Sequence, residues 1–400
     1  MPASIPTLAN DFFAESIQIR RHLHQFPELA FEEYQTAAFV QDVLAPLGLP
    51  AQTNVAKTGL VFTLEGAHAG PVLALRSDMD ALPIVEQNTF AFASQHAGVM
   101  HACGHDAHLA SLLIAAKILH AKRDELHGTI RFIFQPSEER IPGGAKVMME
   151  EGVLEANAFS GKTERIIGQH VAPDLPTGTI GVRGGMYMAS ADEIYITIHG
   201  QGGHAAAPHK LQADAVLAAS HVVVALQSLI SRNRPPDAPS VLSFGRLIAD
   251  GATNIIPESV RLEGTLRAMD ETWRFRAHEL IRRVVHHTAE AYGATATVDV
   301  RVGYPCLYND PAMTAFVREQ ALAYVGQKNT IDLDLWFAAE DFAWYLQEIP
   351  GTFYRLGTGS KAADSEWGLH HPRFTIDEEA LRVGPGFMAQ LALAYGQNPV

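Results

Sequence analysis

The sequence predicts an α/β fold, a mixed and mostly parallel sheet flanked by helices, interrupted by a smaller inserted α+β domain. Three observations carry this. Apolar strand-like runs alternate with helical periodicity through the first half of the chain, several of those runs end abruptly in acidic residues or histidine, and near residue 188 the pattern changes to alternating strands in a different order. In an open α/β sheet the ligand crevice lies outside the carboxyl ends of the strands. Polar residues at strand ends therefore mark a candidate site.

Taken in order, the apolar spacing of "AAFVQDVLAPLGL" predicts an amphipathic helix ending at Gly48. "GLVFTLEG" and "PVLALRSDMDALPI" read as buried strands, the second running into Asp78 and Asp80. "HLASLLIAAKILHAKRDEL" reads as a helix, "GTIRFIFQPSEE" as a strand ending in acids, and "RIIGQHV" as a strand ending at a histidine. From about 188 the order becomes strand ("EIYITIHG"), helix (about 211–231), two strands ("SVLSFGRLIA", "SVRLEGTLRAM"), helix (about 271–292) and strand ("TATVDVRVG"). That is the split βαβ order of a ferredoxin-like domain. The expected organisation is a catalytic domain in two parts, 1–187 and 300–400, around a ferredoxin-like lid or dimerisation domain, 188–299.

Composition excludes several classes. The 400 residues are 47% hydrophobic, enough for a large core, and 44 acidic against 30 basic residues give a formal charge of −14. Such a charge opposes broad contact with phosphate backbones or anionic lipid, so neither nucleic acid nor membrane is an expected partner. The start "MPASIPTLANDFF" lacks the basic and apolar regions of a signal peptide, and no run of about 18 apolar residues appears. A cytoplasmic location is expected. The two cysteines, Cys103 and Cys306, make no disulfide framework, which leaves Cys103 available for chemistry.

"HACGHDAHLASLL" (101–113) concentrates candidate ligands ahead of a core helix. Cys103 and His105 place a soft thiolate beside an imidazole, a pair that suits a divalent cation but equally describes a loop histidine beside a buried thiol. His101 and His108 read as supporting or helix-face residues. Glu138 and Glu139 follow an apolar strand, where adjacent carboxylates repel unless a cation is near; one would bind metal while the other serves as general base. His170 and His370 each sit after an apolar or turn segment. Jointly, Cys103, His105, Glu139, His170 and His370 supply enough ligands for two ions if one bridges, and Asp78 and Asp80 are candidates to support the histidines.

At this point a resemblance covers about residues 15–385. "RRHLHQFPELAFEE" (20–33), "LRSDMDALPI" (75–84), "HACGHDAH" (101–108), "QPSEE" (135–139), "GQGGHAAAPH" (200–209), "TNIIP" (253–257), "EDFAWY" (340–345) and "LHHPRF" (369–374) together resemble the M20 metallopeptidase family. The nearest branch is the aminoacylase and hippurate-hydrolase-like amidohydrolases. The resemblance implies a zinc-exopeptidase-like catalytic fold, two divalent ions per subunit (Zn, Mn, Co or Ni), a homodimer or dimer-based oligomer, and hydrolysis of N-acyl amino acids to a carboxylic acid and an amino acid. Alternatives are a dipeptidase-type enzyme of the same fold or a cysteine-nucleophile amidase. By position, Cys103 resembles the bridging ligand, His105, Glu139, His170 and His370 the other ligands, Glu138 the general base and His204 the histidine that reaches the reacting carbonyl, supplied across a dimer interface. Asn254 and Arg267 match substrate-facing positions. The Gly-rich "RLGTGS", with Gly357, is expected to offer backbone N–H groups to the substrate carboxylate. Ser137 and His371 depart from the family's usual residues, and His371 leaves two adjacent candidates for one ligand.

Overall fold

The structure, a computed structural model, describes residues 3–400. It contains two compact units. The larger holds the described residues through Gly185 with Tyr308–Asp334 and Asp341–Val400; the smaller holds Met186–Leu307 and Leu335–Glu340.

The larger unit is built on an eight-stranded sheet in the order Ala51–Val55, Gly59–Glu65, His127–Gln135, His68–Asp78, Arg165–Pro176, Gly351–Gly359, Ile180–Val182, Thr330–Asp332. Its four middle strands run parallel, and antiparallel neighbours lie on both sides of them. Strands buried on both faces need near-continuous apolar sequence, which is why "IRFIFQ" and "VLALR" do not alternate. The helix His105–Ala121 is buried almost throughout, so beyond its polar first turn it is largely apolar on every side rather than amphipathic. Helices Phe13–Gln25 and Gly384–Gln397 pack against it. Its start is Gly104 at φ +88°, where a Cβ would meet Val171 Cγ2 at 2.4 Å. Only glycine allows the helix to approach the His170 strand so closely.

Three expectations change in detail. The helix expected to end at Gly48 is Tyr34–Leu44 followed by a tight turn Ala45–Leu47, because Pro46 cannot continue the ladder; Gly48 then closes it at φ +61°. The strand through "PVLALRSDMDALPI" ends at Asp78. "RLGTGS", expected to offer backbone N–H groups to substrate, falls mostly on the strand Gly351–Gly359: Cβ atoms at Gly357 and Gly359 would lie 2.1 Å from the carbonyl oxygens of Pro176 and Pro173, so the glycines record close strand approach.

The smaller unit carries a four-stranded antiparallel sheet, Ser240–Ile248, Ser259–Ala268, Asp192–His199, Thr295–Val302, with helices Ala215–Ser228 and Glu271–Ala291. Asp214 and Asp270 cap the two helices with their side chains, fixing starts that periodicity leaves open. The first helix continues through a π-helical turn, and Ala215–Asn233 is long and apolar enough, at mean hydropathy 1.5, to cross a membrane by composition alone. Ala215, Ala218, Ala219, Val222 and Leu226 bury one face in the core that this unit builds with its sheet, as a helix of a folded domain does. A two-stranded ribbon, Gly203–His204 with Ile255–Ile256, is additional to the split βαβ order.

Candidate metal centre

The parallel strands deliver their carboxyl ends to one place. Asp78 closes His68–Asp78 directly opposite Gln135, which closes His127–Gln135 and leads into Glu138 and Glu139; His170 lies on the adjoining strand opposite Arg355. Cys103 and His105 flank Gly104 at the start of the buried helix. His370 arrives from a loop at φ +65°, its N–H donated to the carbonyl of Ala102 at 2.8 Å.

The donors converge. Sγ of Cys103 and ring nitrogens of His105 and His170 lie within 4.8 Å of one another; so do Cys103 Sγ, a Glu139 oxygen and a His370 nitrogen; so do donors of His105, Glu138 and Glu139. Cys103 thus belongs to two ligand triads. His370 Nε2 is 3.1 Å from Glu139 Oε1, whereas His371 stacks on Trp367 with centroids 4.5 Å apart and accepts the Arg373 N–H at Nδ1. Of the adjacent pair, His370 is the one in the cluster.

The two buried histidines are oriented by what holds their far sides. His105 Nδ1 bonds to the carbonyl of Asp80 at 2.8 Å and His170 Nδ1 to the carbonyl of Val171 at 2.8 Å, so both rings carry the proton there and turn Nε2 inward, a tautomer suited to metal binding. His170 Nε2 is 3.4 Å from Cys103 Sγ. Asp80 accepts the Glu138 N–H on Oδ1 and the Glu139 N–H on Oδ2, each at 2.9 Å. His108 is used up, with Nδ1 on Asp78 at 2.7 Å and Nε2 accepting the Val171 N–H at 2.9 Å, and is no ligand. His101 is buried with neither ring nitrogen hydrogen-bonded among the described residues, and burial pushes it down to about 3, hence neutral.

The donor set fits divalent cations. Among the described residues, none hydrogen-bonds to the buried His105 Nε2. Burial opposes its charging, yet Asp78, Asp80 and Glu139 push it up to about 10. Burial, then Glu139, Glu138 and Asp78, push the Cys103 thiol well up. Packed electron donors without a cation thus retain protons, and soft thiolate with imidazole and carboxylate suits Zn and its first-row neighbours.

Other placements differ from expectation or were invisible to it. Gly357 does not offer its N–H: that group is donated to the Thr179 carbonyl at 2.8 Å within the sheet, because Gly357 is a strand residue. In the smaller unit, Asn254 and His204 meet at the ribbon, where the Asn254 carbonyl accepts the Ala205 N–H at 3.0 Å and His204 is exposed. Arg267 is half-buried on Ser259–Ala268, opposite Val241. Arg76, Gln135 and Asp341 escaped the sequence reading. Arg76 binds Asp78 (2.7 Å), Gln135 (2.9 Å) and Asp341 (2.8 Å), and the Asp341 N–H reaches Glu138 Oε1 at 3.3 Å. An arginine inside an apolar strand running into acids is the signal that would have found this network, since a buried guanidinium needs acceptors for all its N–H groups.

A cluster of candidate ligands, most of them buried, with a carboxylate alongside is the arrangement that metal-dependent hydrolases use. Residues 74–394 match the peptidase family M20/M25/M40. The chain is 40% identical over 391 residues to the N-acetyl-L-cysteine deacetylase of Bacillus subtilis, covering 98% of this chain and 89% of that one. It is 36% identical over 386 residues to thermostable carboxypeptidase 1 of Saccharolobus solfataricus, covering 96% and 95%. The crystal structure of the Bacillus subtilis YXEP protein, described as a dinuclear metal binding peptidase of this family, superposes with a TM-score of 0.83 at 37% identity, covering 97% and 99%. This chain belongs to that peptidase family and is a hydrolase.

Proposed function

We propose that the protein hydrolyses the amide bond of an N-acyl amino acid, with two divalent ions held by Cys103, His105, Glu139, His170 and His370. The observation that carries the reading is Cys103 shared between two ligand triads with Glu138 beside them. When bound, such an ion pair supplies Lewis acidity and lowers the pKa of water. Glu138 takes the proton of the attacking water, whose oxygen bonds to the acyl carbon, and delivers it to the nitrogen as the C–N bond breaks. Asp80 holds the Glu138 backbone while this happens. His204 is assigned the developing oxyanion, and Asn254 and Arg267 the substrate's polar groups; a guanidinium pairs well with a free carboxylate.

N-acetyl-L-cysteine and the C-terminal residue that a carboxypeptidase releases share an amide nitrogen borne by an amino acid with a free carboxylate. That common chemistry favours an N-acyl amino acid here and makes a peptide the second substrate class. A homodimer and a cytoplasmic location belong to the same proposal, the latter suited to a buried thiol that must stay reduced. Stripping metal with chelator, restoring Zn, Mn, Co or Ni singly, and assaying N-acetyl and N-benzoyl amino acids beside dipeptides tests it. Hydrolysis returning with metal on acyl amino acids is expected; activity that survives complete metal removal would sink the reading.

A further inference from the structure

Three consecutive backbone N–H groups, of Ser137, Glu138 and Glu139, each end on an oxygen of a buried carboxyl group. Asp80 takes the last two; the first is donated to Glu33 Oε1 at 2.9 Å. Glu33 lies just ahead of the helix Tyr34–Leu44, yet its side chain makes no capping bond to that helix. It turns inward instead, fully buried, accepting the Phe31 N–H at 3.0 Å on the same oxygen and the Thr58 hydroxyl at 2.6 Å on Oε2. Ser137 stands at φ +51°, the left-handed region that a serine adopts only when its surroundings impose it. Successive N–H groups around a left-handed residue form a concave cradle for negative charge, and here the chain fills that cradle with its own side chains.

We propose that Glu33 is a positioning residue for the general base: it holds Ser137 in the left-handed conformation and so fixes the backbone from which the Glu138 and Glu139 side chains diverge. The inference rests on Glu138 being the base, as proposed above. Asp80 holds the two amides that follow Ser137, and the Ser137 carbonyl accepts the Gly144 N–H at 2.8 Å; Glu33 holds the N–H on the other side of the residue, and with it the direction in which Glu138 leaves the chain. Thr58 binds the other oxygen of Glu33, so it shares the anchor without touching Ser137. That separation allows structural and positioning roles to be told apart.

Four variants of the metal-loaded enzyme are compared on an N-acetyl amino acid, with metal content and melting temperature recorded. Glu33→Gln keeps an amide oxygen for the Ser137 N–H and holds kcat within about threefold; Glu33→Ala and the shorter Glu33→Asp lose kcat about 100-fold, the cost of a misplaced reacting group, with KM within about threefold. Thr58→Val lowers the melting temperature while keeping kcat. In the metal-free proteins, amide hydrogen exchange at 137–139 is slow in wild type and Glu33→Gln and at least about tenfold faster in Glu33→Ala and Glu33→Asp. Should Glu33→Ala fold poorly, Glu33→Asp carries the comparison. Equal losses of kcat in Glu33→Gln and Glu33→Ala, or loss of kcat in Thr58→Val matching its loss of stability, would overturn the proposal, as would unchanged exchange in both disruptive variants. Glu138→Gln run alongside separates the two readings: an active Glu138→Gln refutes the base assignment, whereas the exchange data test the Glu33–Ser137 link without any turnover.

Discussion

The two places where sequence puts reactive histidines are built in opposite ways. In the larger unit His105 and His170 are buried, each ring fixed by a backbone carbonyl on one side and turned toward shared donors on the other. In the smaller unit His204, which follows two glycines, is exposed on a two-residue ribbon strand, and its Nδ1 accepts the local Ala206 N–H at 3.1 Å. Ligands must be preorganised because a cation tolerates little misplacement. A group that meets substrate gains from the freedom glycine gives a loop. Burial thus marks His105 and His170, which strands and the buried helix carry, whereas His370, which arrives on a loop, shares the exposure of His204.

The sharpest break in this comparison comes from Glu138, the proposed base. Glu138→Gln lowers kcat about 10³-fold with both metals retained, measured by steady-state kinetics and elemental analysis of one preparation. Loss of metal would mean that the roles of Glu138 and Glu139 are reversed. His204→Ala follows, losing about 10² to 10³-fold with metal content and melting temperature unchanged, as removal of an oxyanion donor does. Mixing its subunits with those of Glu138→Gln, with exchange verified by mass, restores roughly a quarter of wild-type activity if His204 serves the partner's site, since each heterodimer then has one intact site. No recovery assigns it to its own chain.

Weakening the support rather than the ligands has a smaller effect. Asp80→Asn reduces metal affinity or activity about 10- to 100-fold, read by competition with a chromophoric chelator, because Asp80 holds His105 and both glutamate amides. Smallest is a pH effect on stability. Burial, and then the charge of Asp80, raise Glu33 from the usual 4.5 to about 7. Between those values the folded chain keeps a proton that the unfolded chain has released, so this contribution is fully present below 4.5 and is lost as pH rises through 7. Denaturant unfolding of metal-free wild type and Glu33→Gln at pH 5 and pH 8 should show the variant gaining up to about 3 kcal/mol on wild type at the higher pH. A constant difference across that range would place Glu33 near its ordinary value.

What the sequence made legible follows from what is local. Strands running into Asp78, Glu138 and His170 display both the fold and the site, because the end of an apolar run and its polar residue are neighbours in the chain. The Arg76–Gln135–Asp341 network was hidden because Gln135 and Asp341 lie 206 residues apart and nothing near either announces the other. Glu33 was hidden differently: an acid ahead of a helix has an ordinary explanation in the helix dipole, and only the fold shows the side chain turned elsewhere. Gly357 was misplaced because glycine marks both turns and tightly packed strands, and sequence alone does not separate the two.

The strand Gly351–Gly359 also has a consequence for how the protein is made. It lies between Arg165–Pro176 and Ile180–Val182, elements that leave the ribosome long before it does. Until it emerges, Arg165–Pro176 is a bare hydrogen-bonding edge carrying His170, and the loop bearing His370 is still unsynthesised. An apolar edge left open during the synthesis of the whole smaller unit invites pairing with other chains, the hazard that attends slow, non-local sheets. Nascent chains stalled ahead of residue 351 should therefore be protease-sensitive and held by chaperones. Chains stalled far enough beyond residue 370 for that segment to clear the exit tunnel should be able to close the sheet and the centre together.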